Sequence, residues 1–313
     1  MPQKKFLTYE QQIRYLISEK NLVIQDINSA KQILFKVGYF PLINGYKKIF
    51  KNSVTQKFKD GTCLKNLYDL YSFDNELRTI FLKNILITER NIKSSLSYHF
   101  SEVFGGGQSD YLNSLNYDYA GLKIPLVNTL IKIMSGQLRK DSHYAYIHHY
   151  LKVYQDVPLW VLINVMTFGQ MSKLYACQKG QIKIRVCNDF GKIKINEFEK
   201  MIAVSTKFRN VCAHNERLFD FRTKDALLDM NIHKRLHLQR KKDRYQCGKH
   251  DLFAVVIILK LLLSDEDFRT FYGELKRCFE RYPIYKQVLG EMGFPKDWYR
   301  IRRIKKFLKN EKV

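Results

Sequence analysis

From Leu64 to Phe104 apolar side chains return every three or four positions, and neither glycine nor proline interrupts them. Leu64, Leu67, Leu70 and Tyr71 share one face, and Leu77, Ile80, Phe81, Asn84 and Thr88 carry the spacing onward. This is the period of a helix that buries a stripe, not the alternation of a strand. Asp74, in the run SFDN, is placed to cap the second part of the stretch, and Gly105-Gly106-Gly107 ends it. No Lys-Ser or Lys-Thr follows the glycines, so they make a terminator and loop, not a phosphate cradle. Elsewhere no alternating pattern is strong enough to build a sheet; the nearest, IKIRV (182–186), suits a helix equally. With 313 residues, 45% hydrophobic and 27% charged, the chain has globular composition and room for one large domain or two modest ones. The expected fold is all-α, an antiparallel helical bundle with an N-terminal helical extension.

The extension spans residues 1–60, where Thr8-x-x-Gln11 and Ser29-x-x-Gln32 read as capping boxes that start two helices. VGYFPLINGYKKIF (37–50) then breaks the helical period with Gly38, Pro41 and Gly45. It is an aromatic corner between helices, or an edge on which Tyr39, Tyr46, Lys47 and Lys48 stack bases and contact phosphates. The bundle is expected over 61–285. It takes in a short apolar helix at VNTLIKIM, two helices split at Pro158 within 143–178, and two more over 251–281. Between these runs a helix capped by Asn196, with Phe198, Met201, Ile202, Ser205, Phe208 and Cys212 as its buried stripe. LFAVVIILKLLL (252–263) reads as a core helix, because a membrane span takes about 20 residues. Residues 286–313 are set apart as a basic C-terminal tail.

The formal net charge is +24, from 54 Lys and Arg against 30 Asp and Glu. An excess of that size along a whole chain points to a polyanionic partner, and nucleic acid is the natural one. The charge is densest over 233–250, where Lys234, Arg235, Arg240, Lys241, Lys242 and Arg244 are candidate RNA contacts, and near the end, with Arg300, Arg302 and Arg303. No membrane partner is expected, since neither end carries a lipidation motif and no signal peptide opens the chain. The six cysteines form no C-x-x-C pair and are expected as reduced thiols of the cytoplasm. His233, His237, Cys247 and His250 have the spacing of zinc ligands, but the lysines and arginines among them repel a cation. Neither a metal nor another cofactor is therefore expected.

Residues 207–220 read KFRNVCAHNERLFD. On a helix Asn210 and His214 are i,i+4 and share a face, which Arg217 continues. Arg209 and His214, five apart, diverge by about 140° on an ideal helix, so the Arg must reach around or the helix must distort near His214. An imidazole, an amide and one or two guanidiniums on one patch suit RNA cleavage without metal. The His moves a proton at the ribose 2′-OH or the leaving 5′-oxygen. The Arg holds the phosphate and offsets the charge of the pentacoordinate transition state. One His does not comfortably serve as both base and acid, so a homodimer, with the helix packed on its mate, would complete the site. The spacing alone is weak, and a helix C-terminus whose His and Arg satisfy the last carbonyls accounts for it equally.

RNVCAHNERLF is similar to the RN-x-x-x-H signature of HEPN-domain ribonucleases, and within them to the Abi-like group (AbiD/AbiF) of bacterial abortive-infection proteins. Further segments resemble that group in the same order: KKFLTYEQQIRYL, VGYFPLINGY, LYSFDNELR with ITERNIKSSL, and VPLWVLINVMTFGQMSKLY. Together they cover about residues 4–220. FPLING stands where the group has a Tyr-Arg-Leu-Ser run, and Asn215 where a second His is common; Arg209, Asn210 and His214 are intact. The resemblance implies a HEPN-type helical bundle and an RNA-cleaving toxin that arrests the phage-infected cell. It implies a site composed across a dimer, with Arg209 and His214 as the functional pair. It also implies a structured non-coding RNA that binds and restrains the protein, in the manner of a toxin and its antitoxin. Glu89 and Arg90 match the group's acidic-basic pair and would, with Arg217, support the site or fix the packing. A different reading stays open: a catalytically silent RNA-binding protein that forms a ribonucleoprotein with one small RNA.

Overall fold

Two helices, α1 (Tyr9–Ser18) and α2 (Ile27–Val37), pack on each other at the start of the computed structural model, which describes residues 5–139 and 143–305. Thr8 caps α1 as expected, with the Gln11 N–H on its hydroxyl (3.4 Å) and its own N–H on the Gln11 amide (2.9 Å). Ser29 does not cap α2. The Asp26 carboxylate, three residues earlier, accepts the N–H groups of Asn28 (2.9 Å) and Ser29 (3.2 Å), so Ser29 lies inside the first turn. A charged acceptor at a helix N-terminus gains from the dipole as well as the hydrogen bonds. The connector that follows is the packed corner: a π-type turn over Phe40–Asn44 and a 3₁₀ turn over Lys47–Phe50 bury Leu42, Ile43, Tyr46 and Phe50.

The spine of the molecule is α3 (Leu64–Phe104), 41 residues without a break, roughly 60 Å long at about 1.5 Å per residue. Asp74 does not begin a second helix here. It lies within the buried stripe beside Phe73 and Leu77, because its carboxylate finds partners from distant parts of the chain. Gly105 (φ 91°) ends α3, a backbone geometry that favours glycine. Gly106 leaves no room for a side chain, since a Cβ there would stand 2.4 Å from the Trp160 ring.

Helices α4 (Gln108–Tyr111), α5 (Ile124–Gln137), α6 (Ala145–Val153), α7 (Leu159–Leu162), α8 (Phe168–Ala176), α9 (Gly180–Asp189) and α10 (Ile195–Ala213) come next. Pro158 divides the 143–178 region as expected, but the second part is two helices. Thr167 starts a new one, its hydroxyl accepting the Gln170 N–H at 3.2 Å. IKIRV is helical, within α9. α10 begins just before Asn196, whose side chain instead accepts the Glu197 N–H (2.9 Å) inside the first turn. Its expected stripe, from Phe198 to Cys212, is buried.

The chain then forms α11 (Asn231–Arg235), a two-stranded hairpin β1 (Arg240–Lys241) and β2 (Arg244–Tyr245), α12 (Leu252–Leu262), α13 (Asp265–Arg281) and α14 (Tyr285–Val288). The hairpin is a local departure from an otherwise all-α fold. Lys242 (φ 47°) and Asp243 (φ 59°) form its two-residue turn, where both residues take the left-handed conformation that tight hairpins use. α7, α9, α10 and α13 lie along α3, and α8 and α12 fill the angle between α3 and α10. The basic C-terminal segment is anchored as far as Ile304: Met292, Phe294, Trp298 and Ile301 are buried, with Trp298 set among Phe279, Phe294 and Tyr272. Residues 306–313 of the expected tail lie outside the described residues. Among those described, no helix is long and apolar enough to cross a membrane.

Candidate active site

The end of α10 explains the letters RNVCAHN. His214 is the C-cap, and Asn215 (φ 57°) turns the chain in the left-handed region. The Glu216 N–H then reaches the Val211 carbonyl (3.0 Å) and the Asn215 N–H the Cys212 carbonyl (3.4 Å). That pair of bonds is a Schellman stop, for which asparagine is a good choice after glycine. The helix thus ends immediately behind His214 and leaves its imidazole exposed, together with the carboxamide of Asn210 one turn back. Neither side chain has a hydrogen-bond or ion-pair partner among the described residues.

Arg209 turns the other way, toward α3. Its Nε stands 3.9 Å from Glu89 Oε2, at ion-pair rather than hydrogen-bond range, and neither atom has a hydrogen-bond partner. Glu89 is buried and held by Lys93 (2.8 Å), whose ammonium also donates to the Met166 carbonyl (2.6 Å). A buried carboxylate thereby fixes the direction of the guanidinium without using up its donors, and the Arg209 side chain keeps 30% of its surface open. Arg90, the next residue on α3, faces solvent and takes no part in this contact. Within one copy, no hydrogen bond or ion pair joins Arg209 to His214.

Arg217 does not continue the Asn210–His214 face, because the helix has already ended. It bonds Asp220 (2.5 Å) and the Gly45 carbonyl of the connector, and lies over the Phe219 ring (5.8 Å). Beside it is a node that sequence reasoning missed. Asp74, fully buried, accepts from the Tyr46 hydroxyl (2.8 Å), from Arg78 (2.7 Å) and from the backbone N–H groups of Leu218 (3.1 Å) and Phe219 (2.8 Å). Arg78 also donates to the Glu216 carbonyl (3.3 Å). The connector, the middle of α3 and the segment just past His214 are thus clamped together. Tyr46 is therefore a structural residue and not a base-stacking one, and burial beside the Asp74 carboxylate holds its hydroxyl above the usual tyrosine range. The signal available in the sequence was charge at i,i+4 within an apolar stripe, Asp74 with Arg78 and Glu89 with Lys93.

The remaining basic candidates lie elsewhere. Tyr39 and Lys47 are half-buried in the connector and Lys48 is exposed. Lys234, Arg235, Arg240, Lys241, Lys242 and Arg244 are exposed on α11 and the hairpin, and Arg300, Arg302 and Arg303 on the last 3₁₀ turn. Part of this charge is engaged: Arg235 donates to the Lys305 carbonyl (3.1 Å), Arg240 lies over Tyr245 (5.0 Å), and Arg300 pairs with Asp297 (2.9 Å). His233 of α11 is buried against the hairpin residue Tyr245, and there Nδ1 accepts the Met230 N–H (3.1 Å) and Nε2 donates to the Gly248 carbonyl (2.9 Å). Burial lowers its pKa, and both ring nitrogens are committed to the backbone.

Comparison of the chain with curated proteins and with solved structures gives no match. The model of the Abi-like protein family matches residues 32–220, from within α2 to just past α10. The matched span contains the Asp74 node, the Glu89–Arg209 contact and the exposed end of α10. By this match the chain belongs to the Abi-like family and has a role in abortive infection.

Proposed function

We propose that this protein is a HEPN-type endoribonuclease toxin of an abortive-infection system, cleaving RNA without metal and restrained by a structured non-coding RNA. The observation that carries the reading is the end of α10: Arg209 is aimed by a buried carboxylate, and Asn210 and His214 stand unpartnered in solvent. One imidazole takes the proton of a ribose 2′-OH as the 2′-oxygen attacks phosphorus. The bond to the 5′-oxygen breaks, and that oxygen receives a proton from an imidazolium. Arg209 holds the non-bridging oxygens as their charge grows, and Asn210 orients the phosphate or the His. One imidazole does not comfortably serve as both base and acid, which supports a site completed by a second copy whose His214 supplies the other proton step. The products are a 2′,3′-cyclic phosphate and a 5′-OH.

The test is cleavage of end-labelled RNA in the presence of EDTA, with the product ends identified, alongside growth on expression. His214→Ala should lower cleavage by about a hundredfold or more and abolish growth arrest. Equal arrest by wild type and His214→Ala overturns the catalytic reading. A second reading, a silent ribonucleoprotein, is favoured by how much of the positive surface lies away from α10, on α11, the hairpin and the last 3₁₀ turn. A single defined RNA that copurifies with a wild-type chain unable to cut supports it.

A further inference from the structure

The N-terminal extension holds a cavity that the proposed reaction does not use. It lies between α1 and the connector, with a volume of about 610 Å³, within the roughly 300–1,000 Å³ of small-ligand sites. Lys5, Lys20, Lys47 and Lys51 line it, and no aspartate or glutamate does. Lys51 is held by the neutral Gln56 amide (2.8 Å), and the Lys20 ammonium stands 5.2 Å from the centre of the Tyr15 ring. Among the described residues Lys5, Lys20 and Lys51 have no ion-pair partner, so their charge on this lining suits a phosphate. Tyr15, Tyr39 and Phe40 supply an aromatic wall. Phe40 is 75% exposed, so packing gives no reason for a large ring there. Of the lining amides, Asn44 and Gln56 hold Lys47 and Lys51, while the Gln12 Oε1 is buried without a partner and can accept from a base edge. By contrast, a groove on the C-terminal half of α3, lined by Tyr98, Glu102 and Trp160, carries a carboxylate and no cation.

We propose that this cavity takes one unpaired nucleotide of a single-stranded RNA, its base against the Tyr39–Phe40 wall and its phosphates on the lysines. The occupant is a strand rather than a free nucleotide because the Phe40 ring lines the cavity yet is 75% exposed, which leaves aromatic surface for a neighbouring nucleotide. The inference shares with the cleavage reading only the class of partner, and it holds whether or not His214 cuts.

The experiment measures binding of a short fluorescein-labelled oligouridylate to the full chain carrying His214→Ala, so that no strand is cut during titration. Phe40→Ala should weaken binding about tenfold, equally at low and high salt, because stacking is not screened. Lys20→Ala with Lys51→Ala should weaken it more at low salt than at high salt. The charge-matched control, exposed Lys276→Ala with Lys286→Ala on the C-terminal helices, should cost much less. Unlabelled UMP should fail to compete at concentrations where the unlabelled strand competes fully. The proposal is overturned if Phe40→Ala binds like its parent, if the control pair costs as much as the cavity pair, or if UMP competes as well as the strand. A strand that binds through Phe40, with equal growth arrest by wild type and His214→Ala, sinks the cleavage reading and leaves this one standing.

Discussion

Asp74 shows how one residue's role depends on a partner far along the chain. Its carboxylate is reached by Leu218 and Phe219, 144 and 145 residues away. Its one local mark is Arg78 at i,i+4; aspartate at that place in SFDN is also a good helix cap, and Tyr46 in a basic, aromatic corner is also a good stacking residue. What was legible was that Asn210 and His214 share a face at the end of α10; what was not was the clamp behind it, which exists only once three segments meet. The clamp makes a graded prediction. Removing the Tyr46 hydroxyl (Tyr46→Phe) leaves Asp74 with Arg78 and two backbone N–H groups, and should cost about 1–2 kcal/mol. Arg78→Ala leaves a buried carboxylate without its counter-ion, and should cost about 3–5 kcal/mol. Urea unfolding of the two variants measures the order. Equal losses would mean that Asp74 does not depend on Arg78 as its counter-charge.

At the scale of elements, helix existence followed from periodicity while helix ends followed from competition among capping groups. Ser29 lost to Asp26, and Asn196 to the turn before it, since several small polar residues stood within one turn and only the tertiary fold decides where a helix first packs. The cap of α12 is a buried carboxyl group. Asp251 accepts from Gly248 (2.9 Å) and Ala254 (3.0 Å) while 1% exposed, and a side chain on Gly293 (φ 76°) would collide with its carboxyl group. Burial raises the Asp251 pKa from 3.8 to about 6, against the pull of Arg222 and the two N–H groups. A carboxyl group whose folded pKa lies above its unfolded value favours folding when protonated. Its contribution is therefore complete below pH 4 or so and is lost as the pH climbs through about 6. Asp251→Asn keeps an oxygen acceptor and cannot ionise. Between pH 4 and pH 7 its stability relative to wild type should rise by up to roughly 3 kcal/mol, read from melting curves of both proteins at each pH. Parallel curves would place the ionisation of Asp251 elsewhere.

For the whole molecule the question is which part of a charge of +24 meets a partner. Composition announces the excess but not its address, because ion pairing spends cations unevenly. Arg281 bonds Glu76 (2.8 Å) and Lys83 bonds Glu274 (2.5 Å), each tying α13 to α3. Lys241, Lys242 and Arg244 on the hairpin are exposed and have no ion-pair partner among the described residues. Phosphate contacts appear as the slope of affinity against salt, about 0.7 per contact for a single strand, whereas the total affinity mixes in every other term. If the hairpin belongs to the RNA footprint, neutralising these three cations should flatten that slope by up to about 2 while leaving the melting temperature in place. Lys242 is best changed to asparagine, which accepts its φ of 47°, and the other two to glutamine. Binding of a single-stranded RNA across a salt series measures the change. A slope equal to that of wild type would remove the hairpin from the footprint and leave the Arg300–Arg303 turn and the N-terminal cavity as the places where the charge is used.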